Sequence, residues 1–544
     1  MHGDAQLSDR LRAYELMELA QSDSHLQARA ELDALHADAE RDGRPEVALL
    51  AALGQALHMV VHEDDRSRVE HTVGALVARA EMLGSTATTA LALALRAVAA
   101  GGRGESAGLL ADAGRAVALV DDETLPALDR CTVLVVCAAA YNNLSLWELA
   151  DELYDAAGEL SPACERPVQD AAIAVNRVLI RLEWGAALFE LGEEAEALVQ
   201  LKRAAGAAEV ALETPGVPPF WRLDVLACRD LLALVRGAYG EGPAGDVDGR
   251  LSALRDQRDV LAAGGDVEVL PLLDALVVLS LFRLGRTDEA ATAARHLADP
   301  GSSSSGARSF PGWVRAHVLT GDEPGEAVAA HRAYGLHVAR SRWAARLGVL
   351  AAARSRIAGE RLSVDHARLS RDVLLDPLTG LSNRREFDEW LARTPGSASS
   401  AAVILVDVDS FKEVNDVFGH AVGDEVLRRV GSLLSGHVRA VDMALRLGGD
   451  EFAVVMTDDL APVGTRRSES TQVLRSMAGG RAAALAEAVA DEDWGDLAPG
   501  LAVRVSVGVA AGALDPDAPD GAHALYREAD ARLYASKSSL RREA

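Results

Sequence analysis

Two glycines and two carboxylates stand side by side in the segment from Arg446 to Phe452, which reads Arg-Leu-Gly-Gly-Asp-Glu-Phe. Apolar residues flank the segment, and this pattern predicts a β-hairpin with Gly448 and Gly449 at its turn. Glycine tolerates a positive φ and lets a ligand approach the backbone. The turn would present Asp450 and Glu451 at an exposed edge, where paired carboxylates suit a divalent cation that accompanies phosphate. An ordinary acidic hairpin has the same pattern, so this segment alone leaves both interpretations open.

A second pair of carboxylates follows a continuous apolar run at residues 401–406. Such a run predicts a buried strand, and Asp407 and Asp409 would stand at its carboxyl end. Carboxylates in that position are well placed to hold a metal ion. Two separate segments of the chain therefore offer the oxygen ligands that hard cations prefer.

The elements that would position these carboxylates follow from the apolar spacing of the C-terminal third of the chain. The predicted order is a helix to about residue 393, the buried strand, a short helix and turn over 410–420, a longer helix from 423, the hairpin, a helix over 480–490, a strand over 503–509 and a last helix over 522–536. This order fits an α+β domain in which helices cover one face of an antiparallel sheet.

Motifs spread over residues 372–544 resemble those of the GGDEF family of diguanylate cyclases. In chain order they are Asp376 to Leu381 with Asn383 and Arg384, Asp407 to Asp409 with Phe411 and Lys412, Asn415 with Asp416, Phe418 to His420 with Gly423 and Asp424, the Gly448 to Phe452 signature, and Ser506 to Val509. Together they are far more specific than the hairpin alone. The resemblance implies a fold related to the polymerase palm and to nucleotide cyclases. It also implies an enzyme that joins two GTP molecules into cyclic di-GMP and releases two pyrophosphates.

The resemblance assigns metal-binding and catalytic roles to residues of both carboxylate segments. Asp407, the main-chain carbonyl of Val408 and Asp450 would hold two Mg²⁺ ions per GTP site, with Mn²⁺ as an alternative, because hard cations take oxygen ligands. Glu451 would assist metal binding or help to deprotonate the 3′-hydroxyl that attacks the α-phosphate. Arg446 would help to stabilise the transition state.

Contacts to the substrate are implied in the same way. Asn415 and Asp424 would bind guanine, and Asp424 would favour GTP over ATP because adenine leaves a buried acceptor unpaired. The other implied contacts are the backbone of Gly448 and Gly449, the side chains of Phe411 and His420, and the phosphate-binding cations Lys412, Lys537 and Arg541. The family has a glycine where this chain has Leu540, so Arg541 is the weakest match. Taken singly, Lys537 and Arg541 would be ordinary solvated charges on a terminal helix.

The segment from Arg439 to Asp442 has the spacing and position of the family's inhibitory RxxD site, where the product binds. The planar guanidinium of Arg439 suits the acceptor edge of guanine and phosphate, and Asp442 would accept from guanine donors. An exposed surface ion pair is the alternative interpretation.

Residues 1–330 have helical apolar spacing, with turn signals some 36 to 48 residues apart. The clearest turns are at Gly192 and Gly285, a weaker one is at Gly321, and related positions fall near Gly54, Gly102, Ser145 and Gly240. This resembles a degenerate tetratricopeptide array, in which stacked helix pairs offer a concave binding face for a protein or small ligand. A scaffold that only dimerises the protein is the alternative.

Residues 331–372 show a heptad column formed by Leu336, Trp343, Leu350, Ile357 and Val364. This column predicts one side of a weak parallel coiled coil that brings two chains together, as the joining of two GTP molecules requires. A helix packed on its own array is the alternative. The helix should end before Asp376-Pro377, because the residue before proline avoids the α region.

Composition limits the remaining function classes. The net charge of −27 argues against broad binding to nucleic acid or to an anionic membrane, both of which favour basic surfaces. No signal peptide or membrane span is predicted, so we expect a cytoplasmic protein. The four cysteines match no metal pattern and are expected to be buried thiols.

The sequence therefore predicts three parts: a helical-repeat module over 1–330, a dimerising helix over 331–372, and a GGDEF domain over 373–544. The expected function is a homodimeric diguanylate cyclase that is product-inhibited and regulated by the helical module. The alternative is a non-catalytic domain that senses cyclic di-GMP or GTP through protein contacts.

Overall fold

The protein is described by a computed structural model. The structure describes residues 2–20, 24–62, 65–100, 106–164, 166–215, 217–240, 246–264, 270–297, 309–320, 325–392, 400–439, 442–457, 467–514 and 521–543. The chain divides into two compact units, residues 1–364 and 365–544, which are treated separately below.

The first unit is built from helices. They are α1 His2–Leu19, α2 His25–Arg41, α3 Pro45–His62, α4 Arg66–Leu83, α5 Thr86–Ala100, α6 Ser106–Leu119, α7 Ala127–Asn143, α8 Trp147–Cys164, α9 Pro167–Leu191, α10 Glu194–Glu213, α11 Pro219–Ala238, α12 Val247–Gly264, α13 Leu270–Arg283, α14 Thr287–Ala294, α15 Phe310–Thr320 and the long α16 Glu326–Leu374. Successive helices pack against each other, with α7 on α8 and α9 on α10. One apolar core extends over α1 to α9 and a second over α9 to α15.

Most of the predicted turns are confirmed. Helices end just before Ser145, Gly192, Gly240 and Gly285. The turn predicted near Gly54 is wrong, because this glycine lies inside α3, where an added Cβ would come within 2.7 Å of Leu32 on α2. Gly54 therefore permits close packing of two helices. The positions near Gly102 and Gly321 lie outside the described residues.

The heptad column of α16 packs largely against its own array. Leu350 and Ile357 are buried in the first core, and Trp343 is half-buried against both cores. Ala353, three residues after Leu350, is fully buried beside them. The alternative interpretation therefore holds for this stretch, and these side chains do not form an open seam. The helix ends at Leu374, as predicted.

The second unit contains a five-stranded sheet. Its strands are β1 Ser382–Asn383, β2 Ser400–Val408, β3 Met443–Gly448, β4 Glu451–Thr457 and β5 Val505–Ala513, in the order β1-β3-β4-β2-β5. Its helices, after the end of α16, are α17 Arg384–Ala392, α18 Phe411–Phe418, α19 His420–His437, α20 Arg467–Asp491 and α21 Gly521–Glu543. The strands pair antiparallel except β1 with β3, so the sheet is mixed.

Helices cover both faces of this sheet, which corrects the prediction of a single covered face. Alternate β2 residues such as Ile404 and Val406 pack with α19 and α20. The intervening residues, such as Val403 and Leu405, pack with α17 and α21. Every residue of β2 is buried, which accounts for its continuous apolar run.

Among the described helices, none has the length and apolar content needed to span a bilayer. Cys131, Cys137 and Cys228 are buried, as the sequence predicts, whereas Cys164 is half-buried.

Candidate active site

The sheet brings the two carboxylate segments together. In the register of β2 and β4, Asp407 lies opposite Glu451, and in the register of β2 and β5 it lies opposite Ser506. The backbone N–H of Val408 donates to the carbonyl of Asp450 at 3.2 Å, which fastens the hairpin turn to the end of β2. Asp407 is only 4% exposed, whereas Glu451 is open to solvent.

The turn between β3 and β4 depends on two glycines. Gly448 has φ +143° and Gly449 has φ +57°, conformations that side chains with a Cβ disfavour. No atom lies within 4 Å of where their Cβ atoms would be, so the space beside the turn is open. A register shift between Arg446 and Gly448 ends the regular pairing there. A ligand could approach this backbone directly.

Arg446 holds the turn from one side. Its Nη2 and Nε donate to the Gly449 carbonyl at 2.8 and 3.1 Å, and its Nη1 donates to the Asp376 carboxylate at 3.0 Å. The side chain is 12% exposed. Because its donors are directed to protein acceptors, this geometry favours a positioning role over the direct role at the transition state that the sequence predicts.

Asp376 is a residue of this site to which the sequence analysis assigned no role. It also accepts from Thr379, at 2.9 Å from the backbone N–H and at 2.7 Å from Oγ1. Burial raises the pKa of Asp376, but the hydrogen bonds from Thr379 and Arg446 outweigh it and hold the pKa below its ordinary value. The Asp-Pro-x-Thr spacing was a signal for this turn, but the pairing with Arg446 spans 70 residues.

Asp407 pairs with Lys537 of α21, whose Nζ lies 2.6 Å from Oδ1. Burial raises the pKa of Asp407, and the charges of Asp450 and Glu451 add to the rise, while Lys537 opposes it. Three carboxylates gathered at one edge, one of them buried, favour a bound positive charge. Lys537 therefore lies beside the metal-ligand candidate, as a phosphate-binding lysine near a metal would.

The candidate guanine-binding residues come from α18 and α19. The Oδ1 of Asn415 and the ring of Phe411 lie against Gly423, where an added Cβ would be 2.1 and 3.3 Å from them. Gly423 directly precedes Asp424, so these candidates share one small region. Lys412, His420 and Asp424 are exposed beside it.

A second anchor fixes the segment between β2 and α18. The Oγ of Ser506 donates to Asp409 Oδ1 at 2.6 Å, and the Asp409 backbone N–H donates to the Arg504 carbonyl at 2.9 Å. In the sequence, Ser506 is recognisable only as part of the Ser506 to Val509 motif. These bonds hold the start of α18 at the metal-ligand edge of the sheet.

The candidate inhibitory pair differs from the expectation in its orientation. The Asp442 side chain is 2% exposed, accepts from the backbone N–H of Arg439 at 3.1 Å, and lies 3.5 Å from the guanidinium of Arg481. Its carboxylate closes the turn, while the Arg439 side chain is exposed. Ala440 and Val441 lie outside the described residues, as does the side chain of Arg541.

The part of the chain that holds this site is similar to known proteins. Residues 373–543 match the family model for the diguanylate cyclase GGDEF domain. The chain is similar to the response regulator PleD of Caulobacter vibrioides, with 36% identity over 178 residues, 31% of this chain and 35% of that protein. It is also similar to the diguanylate cyclase TpbB of Pseudomonas aeruginosa, with 34% identity over 185 residues, 33% of this chain and 39% of that protein.

Among solved structures, the chain is similar to the coiled coil and GGDEF domain of DgcB from Caulobacter crescentus, determined in complex with c-di-GMP. The identity is 30%, the match covers 34% of this chain and 92% of that one, and the TM-score is 0.26. The chain spans little more than a third of the length of the curated relatives named above.

Proposed function

We propose that this chain uses its C-terminal domain, which matches the GGDEF family model over residues 373–543, to condense two GTP molecules into cyclic di-GMP with release of two pyrophosphates. The observation that carries the proposal is the meeting of Asp407, Asp450 and Glu451 at one sheet edge, beside a glycine turn open to a ligand. The family match supports GTP as the substrate.

The donor set fits a hard divalent cation. Asp407, the Val408 carbonyl and Asp450 supply only oxygen atoms, which Mg²⁺ and Mn²⁺ prefer. The ammonium of Lys537 lies 2.6 Å from Asp407. This carboxylate already has a cation as its partner, which supports its role in cation binding. When bound, the metal would neutralise charge on the triphosphate during transfer.

The protein's own groups would complete the reaction. Glu451 would accept the proton of the 3′-hydroxyl. The oxygen of that hydroxyl would form a bond to the α-phosphorus of the other GTP, and the bond from that phosphorus to the bridging oxygen of pyrophosphate would break. Arg446 and Asp376 would position the turn. Asn415 and Asp424 would hold guanine, and Lys537 would bind phosphate.

The reaction needs a second copy of the chain, because each domain offers one such site and the two reacting nucleotides must face each other. Leu350 and Ile357 of the heptad column are buried in the array and are not available for this contact. We propose instead that the copies meet through the end of α16 that leads into the GGDEF domain. There Leu362 is 72% exposed and Leu369 is 65% exposed. A spacing of seven residues puts them on one helix face.

We also propose that product binds at Arg439. Its exposed guanidinium would contact guanine and phosphate, while Asp442 would keep the turn in shape. Regulation by the helical module would act through α16, because this helix packs on the array and continues to Leu374.

Purified protein supplied with GTP and Mg²⁺ tests the proposal. We expect cyclic di-GMP and pyrophosphate in a ratio of one to two, and a loss of at least about a hundredfold in Asp450→Asn. Glu413→Gln, at an exposed carboxylate on α18, is the matched control and should retain activity. Tight binding of cyclic di-GMP without turnover at any protein concentration would instead support the non-catalytic receptor.

A further inference from the structure

Three histidines of the helical module converge where the start of α2 lies beside the end of α3. His25 is the first residue of α2, and His58 and His62 lie four residues apart at the end of α3, which puts them on one helix face. One ring nitrogen from each lies within 4.8 Å of the other two. Among the described residues, no other set of three histidine, cysteine or carboxylate side chains brings its ligand atoms this close together.

The spacing of the nitrogens fits a small coordination sphere. His25 Nδ1 and His58 Nε2 are 3.1 Å apart. Two imidazole nitrogens bound tetrahedrally to one Zn²⁺ at about 2.0–2.1 Å are about 3.3 Å from each other. The first two ligands therefore already have nearly the required separation, and the third has a ring nitrogen within 4.8 Å of both.

The hydrogen bond of His62 is of the kind that supports a metal ligand. Its Nε2 lies 2.8 Å from the backbone carbonyl of Ala20, and a carbonyl can only accept, so Nε2 carries the proton. In this tautomer, Nδ1 is the ring nitrogen that can bind a metal. Metal-bound histidines commonly donate their other nitrogen to such a carbonyl, which fixes the tautomer and the ring orientation.

Burial changes in steps across the cluster. His58 is 3% exposed, His25 is half-buried and His62 is open to solvent. A metal held here would have three protein ligands and one side facing water. Sites with three ligands and an open position exchange their fourth ligand, whereas closed four-ligand sites are structural.

We propose that His25, His58 and His62 form a binding site for a single divalent transition metal of the zinc type in the helical module. Neutral imidazoles favour Zn²⁺, Co²⁺ or Ni²⁺ over Mg²⁺ and Ca²⁺, which prefer oxygen. The site joins the start of α2 to the end of α3, so metal binding would tie these two helices together. It does not depend on the function of the GGDEF domain.

The test is titration of the full chain with Co²⁺ in the presence of excess Mg²⁺, followed by visible absorption. Tetrahedral cobalt with nitrogen ligands absorbs strongly, whereas octahedral cobalt on carboxylates absorbs weakly. We expect one strongly absorbing Co²⁺ per wild-type chain and its displacement by one equivalent of Zn²⁺. His62→Gln should weaken this binding by more than about tenfold.

His71→Gln is the matched control, because His71 is exposed on the neighbouring helix α4 and should leave the spectrum unchanged. His25→Gln is a second variant at a half-buried position, and circular dichroism would confirm that both site variants fold. A wild-type chain without the strong spectrum, or a folded His62→Gln and His25→Gln that keep it, would overturn the proposal.

Discussion

Gly423 illustrates how the absence of a side chain at one position could control the substrate site. The α-carbon has room for hydrogen only, since a Cβ would be 2.1 Å from Asn415 Oδ1. Gly423→Ala should therefore displace Asn415 and loosen its contact with the base. We expect the KM for GTP to rise about tenfold, with a smaller change in kcat, because the reacting phosphates are held elsewhere.

Gly436→Ala provides the matched control in the same helix. Gly436 lies near the end of α19 and nothing lies within 4 Å of its added Cβ. Alanine is the better helix former, so this variant should be neutral or slightly stabilising. Equal effects of the two substitutions on KM would show that the space around Gly423 does not matter for binding.

Asp376 should make stability depend on pH. Its pKa is lower in the folded chain than in the unfolded chain. The contribution of its ionised carboxylate to the free energy of unfolding is therefore present above about pH 4 and is lost as pH falls through the folded pKa. Asp376→Asn should cost about 2 kcal/mol of unfolding free energy near pH 7, because it removes the charge that accepts from Arg446 and Thr379. Urea unfolding across pH would measure both effects.

The difference between wild type and Asp376→Asn should shrink below about pH 4. Asp388→Asn is the control, since Asp388 is exposed and lies 3.7 Å from Arg384 in a pair that solvent screens. A difference of equal size at pH 3 and pH 7 would mean that the substitution acts through shape and not through charge.

At single residues, the sequence predicts chemistry better than orientation. The position of Asp407 after a strand and that of Asp450 in a turn are enough to predict that their carboxylates could bind a metal. The pairs Arg446 with Asp376 and Lys537 with Asp407 could not be predicted, because the partners are far apart in the chain. Likewise, the spacing of Arg439 and Asp442 does not reveal that the carboxylate bonds to its own turn.

Among the helices, α16 is attached to the array by a contact of Arg346. The guanidinium donates to both oxygens of Glu148 at 2.6 and 2.7 Å and lies 3.8 Å from the ring centroid of Trp343. The two charged side chains are only 9% and 19% exposed. A planar, bidentate and stacked contact of this kind is one that lysine cannot replace.

Arg346→Met should leave the Glu148 carboxylate without its partner and cost about 3 kcal/mol. Hydrogen exchange over residues 339–353 of α16 should accelerate accordingly. Arg354→Met is the matched control, because the pair of Arg354 with Glu152 is half exposed on both sides and should contribute about 0–1 kcal/mol. Unchanged exchange in Arg346→Met would show that apolar packing alone holds the helix.

Apolar periodicity identifies which face of an element is buried but not what covers it. In α16 the heptad column is apolar, as a coiled coil requires, yet a neighbouring helix of the same chain can cover it as well as a second copy would. Ala353 and Gly114 of α6 are small enough for the helix to approach the array closely. In β2 the unbroken apolar run is consistent with helices on both faces, but the order of elements suggested one.

For the whole molecule, the proposed reaction requires two copies of the chain. Monomers should bind GTP without forming product, so specific activity should rise with protein concentration until the dimer predominates. Leu362→Glu with Leu369→Glu would place two charges on the face proposed to join the copies. Both side chains are exposed, so the substitutions should not disturb the fold of one chain.

We expect this double variant to be monomeric by light scattering and to lose at least about tenfold in specific activity at micromolar protein, because like charges across an apolar seam oppose association. Its GTP affinity should be unchanged, since no candidate ligand of GTP is altered. Met82→Glu with Val210→Glu is the matched control, because these side chains are 82% and 58% exposed on α4 and α10. A dimeric and fully active Leu362→Glu, Leu369→Glu protein would mean that the copies meet elsewhere, whereas a monomeric protein with full activity would contradict the two-chain reaction itself.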